Sequence, residues 1–230
     1  MSRTVDVDGS DRDAVGSLEA AAEAVVEPQE RTPAAVLAAL RAGNLRYRQG
    51  RGRHPHQAAD DRAALVEAQR PIAVVLGCSD ARVPVSVVLD QGLGDLFVVR
   101  VAGHVLGDNV LASVHYAVEH LGVPVALVLG HQGCGAVGLT VDAVRAGRDV
   151  SAPLLRDIAP SAEAAWAACP GELDDDRRTR CANEDAVRRH AERTAARLRA
   201  DPVLAARIAD GRLQVVPAVY DLASGGIDGL

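Results

Sequence analysis

The sequence predicts an α/β fold: a mostly parallel central β-sheet flanked by helices, with an N-terminal helical extension. Three observations predict it. Four mainly apolar runs, at 72–76, 96–99, 123–129 and 213–220, read as strands, the first of them continuous as expected of a strand covered on both faces. Between the second and third run, apolar residues recur at helical spacing. The resulting alternation of strand and helix implies parallel pairing, because a chain returning to the start of a parallel strand needs a long crossover.

Residues 1–31 are polar and Ala-rich without firm periodicity, and read as a flexible or helical extension ahead of one α/β domain spanning 32–230. Thr32 has the chemistry of an N-cap, Pro33 suits the first helical position, and Gly43 reads as that helix's stop. Residues 51–61, with Pro55, read as a loop, and a short helix follows that ends before Pro71. In the helix between the second and third strands, Asp108 or Asn109 is the expected cap. Val110, Leu111, Val114, Ala117, Val118 and Leu121 form its apolar stripe, and Gly122 follows it. Residues 151–210 read as mostly helical with a polar break at 171–176. Pro217 inside the last strand suggests an edge position.

The 230 residues are enough for one substantial core, and with 48% hydrophobic but only 2% aromatic residues that core must be built from Val, Leu, Ile and Ala. All basic side chains except histidine are arginine. The net charge of −6, without a basic patch, argues against a nucleic-acid surface. No apolar run approaches the roughly 18 residues that span a bilayer. The first residues are acidic and lack the apolar core of a signal peptide, so a cytoplasmic location is the expectation. In a reducing compartment the four cysteines are expected to be thiols or ligands rather than disulfides.

Two short segments carry the chemistry: Cys78-Ser79-Asp80-Ala81-Arg82 and His131-Gln132-Gly133-Cys134. Each closes an apolar run, and in open α/β sheets ligands gather at the carboxyl ends of the strands. Cys78 and His131 therefore belong at the same sheet edge, and Cys134 reaches it from a turn that Gly133 and Gly135 allow to be tight. Two thiols and one imidazole are a zinc ligand set with one position left over, which marks a catalytic site. Asp80 stands beside that position. It can accept a proton there or ligate the metal, and Arg82 can hold it away through a two-pronged pair. A lone buried cysteine is ordinarily a small core hydrophobe; Cys169 and Cys181 read as that or as surface thiols. His54, His56, His104, His115, His120 and His190 read as ordinary polar residues, although His104 and His115 lie near enough to the motifs to be candidates for a proton shuttle.

At these two motifs the chain strongly resembles the β-class carbonic anhydrases, which carry Cys-x-Asp-x-Arg followed by His-x-x-Cys. Gly43–Tyr47, Asp90–Phe97, Arg100–Gly103 and Tyr220–Leu222 also look like family segments. The resemblance implies zinc, one per subunit, on Cys78, His131 and Cys134, with Asp80 and Arg82 as a catalytic dyad. It implies reversible hydration of CO2 to bicarbonate and a proton by zinc-bound hydroxide. In the family's plant-like branch, Gln69, Phe97 and Tyr116 match substrate-side residues. Ala102 joins the apolar wall, and the backbone N–H of Gly135 faces substrate. The family is built from dimers with the site at the subunit interface, so a homodimer, or a dimer of dimers, is expected, and Gln69, Phe97 and Tyr116 are expected to serve the partner's zinc. The chain departs from many members at Arg100-Val101-Ala102-Gly103-His104, where they read Arg-Asn-Ala-Gly-Asn. Hydrolysis of CS2 or COS on the same fold, or a non-catalytic zinc protein, are the alternative readings.

Overall fold

The computed structural model describes residues 31–230; the expected N-terminal extension lies, but for Arg31, outside them. Along the chain run α1 (Pro33–Arg48), α2 (Ala59–Ala64), β1 (Ala73–Cys78), α3 (Val85–Val88), β2 (Leu96–Val101), a single 3-10 turn (Ala102–His104), α4 (Asp108–Glu119), β3 (Val125–His131), α5 (Gly135–Arg145), α6 (Pro153–Ala168), α7 (Asp175–Ala200), α8 (Pro202–Ala209), β4 (Gln214–Tyr220) and β5 (Ile227–Asp228). The sheet order is β2-β1-β3-β4-β5. All pairs are parallel except β4–β5, which is antiparallel.

Every residue of β1 and β3 is buried, because helices cover both faces of the sheet's centre. On one face Val75, Leu127, Leu129 and Val216 pack against Val36, Leu37 and Leu40 of α1. On the other, Val74, Ala126, Val128 and Val215 meet Val114 and Val118 of α4, Ala191, Ala195 and Leu198 of α7, and Leu204 of α8. The two sets alternate along each strand, as the twofold period of a pleated strand requires. The alanines let helices lie close to the sheet, so a core nearly without aromatics still fills.

The structure corrects several sequence expectations. The Thr32 hydroxyl caps α1 by accepting from Ala35 N at 3.2 Å, as expected, but the helix runs through Gly43 to Arg48. Gly43 is required by close approach instead: a Cβ there would lie 1.9 Å from the Leu89 carbonyl oxygen. The next residue, Asn44, is buried; its amide donates to Val88 O and Gly225 O, both at 2.9 Å, and its oxygen accepts from Ile227 N at 3.2 Å. The N-cap of α4 is Gly107 rather than Asp108 or Asn109. β4 is not an edge strand, yet β5 covers only Val219 and Tyr220, so the outer side of Pro217, where its missing N–H would point, meets no strand among the described residues.

The largest correction concerns cysteine. Cys169 and Cys181 form a disulfide, whereas thiols were expected. Cys169 ends α6 and Cys181 lies near the start of α7; the intervening turn folds α7 back onto α6 and brings the two Cα atoms to 6.2 Å. Beside the bond, the Arg178 guanidinium sits 4.2 Å from the centre of the Trp166 ring. No helix among the described residues is long and apolar enough to cross a membrane.

Candidate metal centre

Cys78 is the last residue of β1 and His131 the last of β3. Gly77 pairs with Leu129, so the two side chains emerge next to each other at the carboxyl edge of the sheet. Cys134 sits at the N-cap of α5, after a turn in which Gly133 takes φ +61°. Sequence placement and structure agree on this edge.

The three ligand atoms lie within 4.8 Å of one another and the two sulfurs are 4.0 Å apart. A tetrahedral zinc with sulfurs at about 2.3 Å needs a sulfur–sulfur separation of about 3.8 Å, so the group fits the ion with little movement. His131 Nδ1 lies 2.9 Å from the Gln132 carbonyl, which can only accept, so Nδ1 carries the proton. Its Nε2 is then a bare lone pair, fully buried and without a hydrogen-bond partner among the described residues. A buried, unpartnered acceptor aimed at two sulfurs is the arrangement a cation completes.

The two thiols, 4.0 Å apart, shift each other's ionisation in opposite directions. Cys78 is pulled down to about 3, first by the Cys134 thiol and then, against the cost of burial, by contacts with His131, Asp80 and Gly103. Cys134 is pushed up by that same pairing and by burial. Ionisation of Cys78 is thus favoured at the expense of Cys134, and a cation bound to both sulfurs would displace the remaining proton.

Asp80 is held away from the ligands by Arg82. Arg82 Nε donates to Oδ1 at 2.9 Å, Nη2 to Oδ2 at 2.7 Å, and its backbone N–H to Oδ1 at 2.9 Å. Nη2 also donates to Gly133 O at 3.0 Å, which ties the dyad to the loop carrying Cys134. Arg82 holds the Asp80 carboxyl well below the usual carboxylate range. Its Oδ2 is 3.8 Å from His131 Nε2, adjacent to the ligand group but outside it.

Three contributors carried no sequence signal for these roles. Arg100 donates through Nε to Cys78 O at 2.8 Å and through Nη2 to Asp80 O at 2.6 Å, bracing the first motif from β2. Gly103 donates its N–H to Cys78 Sγ at 3.3 Å. His190 of α7 donates through Nε2 to Gly103 O at 3.0 Å. The Arg100–Gly103 segment was visible as a family segment, but His190 lies 87 residues from Gly103 and only the docking of α7 reveals it.

The other expected site residues divide into two groups. Ala102 and Gly135 are exposed and adjoin the centre, next to Gly103 and Cys134 respectively. Phe97 and Tyr116 pair with ring centres 5.9 Å apart. Phe97 pairs in register with Val74, however, whereas Cys78 pairs with Val101. Four strand residues at about 3.3 Å each put Phe97 about 13 Å from the Cys78 end. Gln69 is exposed and precedes the amino end of β1, at the edge of the sheet away from the ligands. The structure does not bring Gln69 and Phe97 to the metal group of their own chain. The two shuttle candidates fare differently: His104 lies behind the centre, next to Gly103, but is fully buried, and His115 Nε2 is paired with Asp201 Oδ1 at 2.8 Å.

Burial holds the pKa of His190 down to about 4; Asp157 and the Gly103 carbonyl pull it up, and Arg193 and Arg197 push it further down. Its ring also packs against His104, whose own pKa burial lowers. The unfolded chain therefore binds more protons than the folded one between the ordinary histidine value and that depressed one. Stability is expected to fall as pH drops through this window, by about 2 kcal/mol from His190 alone between about pH 7.5 and 5. Urea unfolding at the two pH values checks this; equal stability contradicts it.

An α/β protein with a buried Cys–His–Cys group able to hold a metal at the carboxyl ends of parallel strands, bordered by an Arg-held carboxylate, is the class that fold and site define. Comparison with known proteins narrows it. The carbonic anhydrase family profile matches residues 73–227. Carbonic anhydrase 2 of Mycobacterium tuberculosis is 41% identical over 194 residues, covering 84% of this chain and 90% of the relative. Among solved structures, the β-carbonic anhydrase of Coccomyxa, in complex with acetazolamide, superposes with TM-score 0.63 at 26% identity, over 73% of this chain and 75% of that one. A tetrameric β-carbonic anhydrase of Sordaria macrospora shares the fold with TM-score 0.65 at 24% identity, over 76% and 88%. The chain belongs to the β-carbonic anhydrases, enzymes whose general reaction is the hydration of CO2.

Proposed function

We propose that the chain hydrates CO2 reversibly at a zinc ion held by Cys78, His131 and Cys134. The observation that carries this reading is the buried lone pair of His131 Nε2 facing two sulfurs beside a carboxylate anchored on arginine. Zinc, when bound, supplies a Lewis acid that lowers the pKa of a water molecule and so makes hydroxide available.

The chain's own residues do the rest. Two thiolates and a neutral imidazole hold the ion and cancel its double charge. Asp80, ionised and fixed by Arg82, accepts a hydrogen bond from the attacking oxygen and orients its lone pair toward CO2. The side chains of Phe97, Ala102 and Tyr116 form an apolar wall that holds CO2 without competing for the attacking oxygen. Gln69 donates its amide to one substrate oxygen, and the Gly135 N–H donates to the product anion. The released proton passes to solvent or buffer.

Gln69 and Phe97 stand too far from the metal group of their own chain, so the working unit we propose is a homodimer in which each protomer lends them to its partner. The edge of β2, which no strand among the described residues pairs, supports this: Val98 is 39% exposed there, with Leu93 and Tyr116 similarly exposed nearby.

Two thiolates leave the centre less positive than three neutral ligands would, so the water is less acidified than at an all-histidine site. Stopped-flow CO2 hydration by zinc-loaded protein is expected to show kcat/KM rising toward alkaline pH. A profile flat from about pH 6 upward contradicts the charge argument. A rate no faster than buffer at about pH 8.5 overturns the function itself.

A further inference from the structure

We propose that His190 is a positioning residue for the metal centre: by donating to the Gly103 carbonyl it keeps the Gly103 amide aimed at the Cys78 sulfur. This rests on the metal-binding reading above and adds a residue from outside both motifs.

The geometry runs through one glycine. His190 Nε2 donates to Gly103 O at 3.0 Å, and Gly103 N donates to Cys78 Sγ at 3.3 Å. Gly103 holds φ +63°, a conformation natural to glycine, and a Cβ there would meet Ile158 Cδ1 at 2.8 Å and Ala136 Cβ at 3.0 Å. The residue is thus clamped by packing on one side and by His190 on the other. The imidazole is itself immobilised. It is fully buried and packs on the His104 ring with centres 4.6 Å apart. Its neighbours on α7 lie over Gly130, the residue before His131: a Cβ at Gly130 would meet Val187 Cγ1 at 3.2 Å and Ala191 Cβ at 3.6 Å.

A carbonyl accepts only, so His190 is a donor at Nε2, and burial keeps the ring neutral. An amide N–H on a thiolate draws charge from the sulfur and weakens its donation to the metal. Loss of the clamp leaves Cys78 more electron-rich. A zinc ion held there would be a weaker Lewis acid, and a water bound to it would ionise at higher pH.

The test uses the full chain loaded with cobalt in place of zinc, in wild type and in His190→Phe, His190→Gln and His190→Asn. Gln carries an N–H that reaches as far as Nε2; Phe fills the space without a donor. In His190→Phe the sulfur-to-cobalt charge-transfer band is expected to move to longer wavelength. With zinc, its kcat/KM inflection is expected to move up by about one unit, about tenfold lower on the acid limb. His190→Gln is expected to restore both. Should His190→Phe fail to fold, His190→Asn takes its place, because the shorter amide stops short of the Gly103 oxygen. If a folded Phe or Asn variant keeps the wild-type band and inflection, His190 only docks α7 and the inference is overturned. If the wild-type chain gives no sulfur-to-cobalt band at all, the metal centre itself fails, and this inference fails with it.

Discussion

Cys134→Ser is expected to remove metal and activity together. Cys134 supplies one of two sulfurs, 4.0 Å apart, and is 4% exposed. A serine hydroxyl stays protonated at neutral pH and is too short and too hard to replace a thiolate on zinc. The variant keeps one anionic ligand instead of two, and Cys78 also loses the thiol hydrogen bond that most favours its ionised form. Losing a partner of a ligand typically costs ten- to a hundredfold; losing a ligand should lower kcat/KM by more than about a hundredfold. Elemental analysis after dialysis should find the variant depleted of zinc while wild type keeps one equivalent per subunit. The fold should survive, because Val137, Val141 and Ile158 pack around the site and the Cys169–Cys181 bond is untouched. A circular dichroism melt separates loss of metal from loss of structure. A folded variant with one equivalent of zinc and wild-type turnover would place the metal elsewhere.

How much of this was legible in the sequence depends on whether a local pattern or a distant contact decides each feature. β1 and β3 were legible because two-sided burial leaves a continuous apolar run. Cys78 and His131 were placed on one edge because parallel strands align their carboxyl ends. Gly43 misled because a glycine after an apolar helix looks like a stop; the Leu89 carbonyl that demands it lies on another element. The disulfide was hidden because Cys169 and Cys181 meet only after α6 and α7 fold back on each other. Arg100 and His190 reach the ligands through backbone groups of Cys78, Asp80 and Gly103, contacts that leave no residue pattern to read. The substrate side divides for another reason: Gln69 and Phe97 lie toward the amino edge of the sheet, so a single protomer does not complete the pocket proposed for it.

Asp80→Asn is expected to separate metal binding from catalysis. Asp80 is not among the three ligands; both its oxygens are taken by Arg82, and Oδ2 stands 3.8 Å from His131 Nε2. Zinc content should therefore remain at one equivalent. The amide offers one acceptor oxygen instead of two, turns an N–H2 toward the Arg82 fork, and carries no charge. The attacking oxygen loses its oriented acceptor, and the Arg82 tie to the Gly133 carbonyl loses its anchor. A positioned proton acceptor is worth about a hundredfold to ten-thousandfold, so kcat/KM should fall by at least about a hundredfold across the alkaline range, with no recovery at higher pH. Stability supplies an independent reading with a defined sign. The folded pKa of Asp80 is depressed, first by Arg82, so its contribution is present above the unfolded carboxylate value and is lost as pH falls through the folded one. The Asn variant should lack that part of the acid transition while matching wild type in how stability changes near neutrality. Full zinc with wild-type kcat/KM in Asp80→Asn would remove the acceptor from the mechanism. Asp80 would then serve only to hold Arg82 against the loop that carries Cys134.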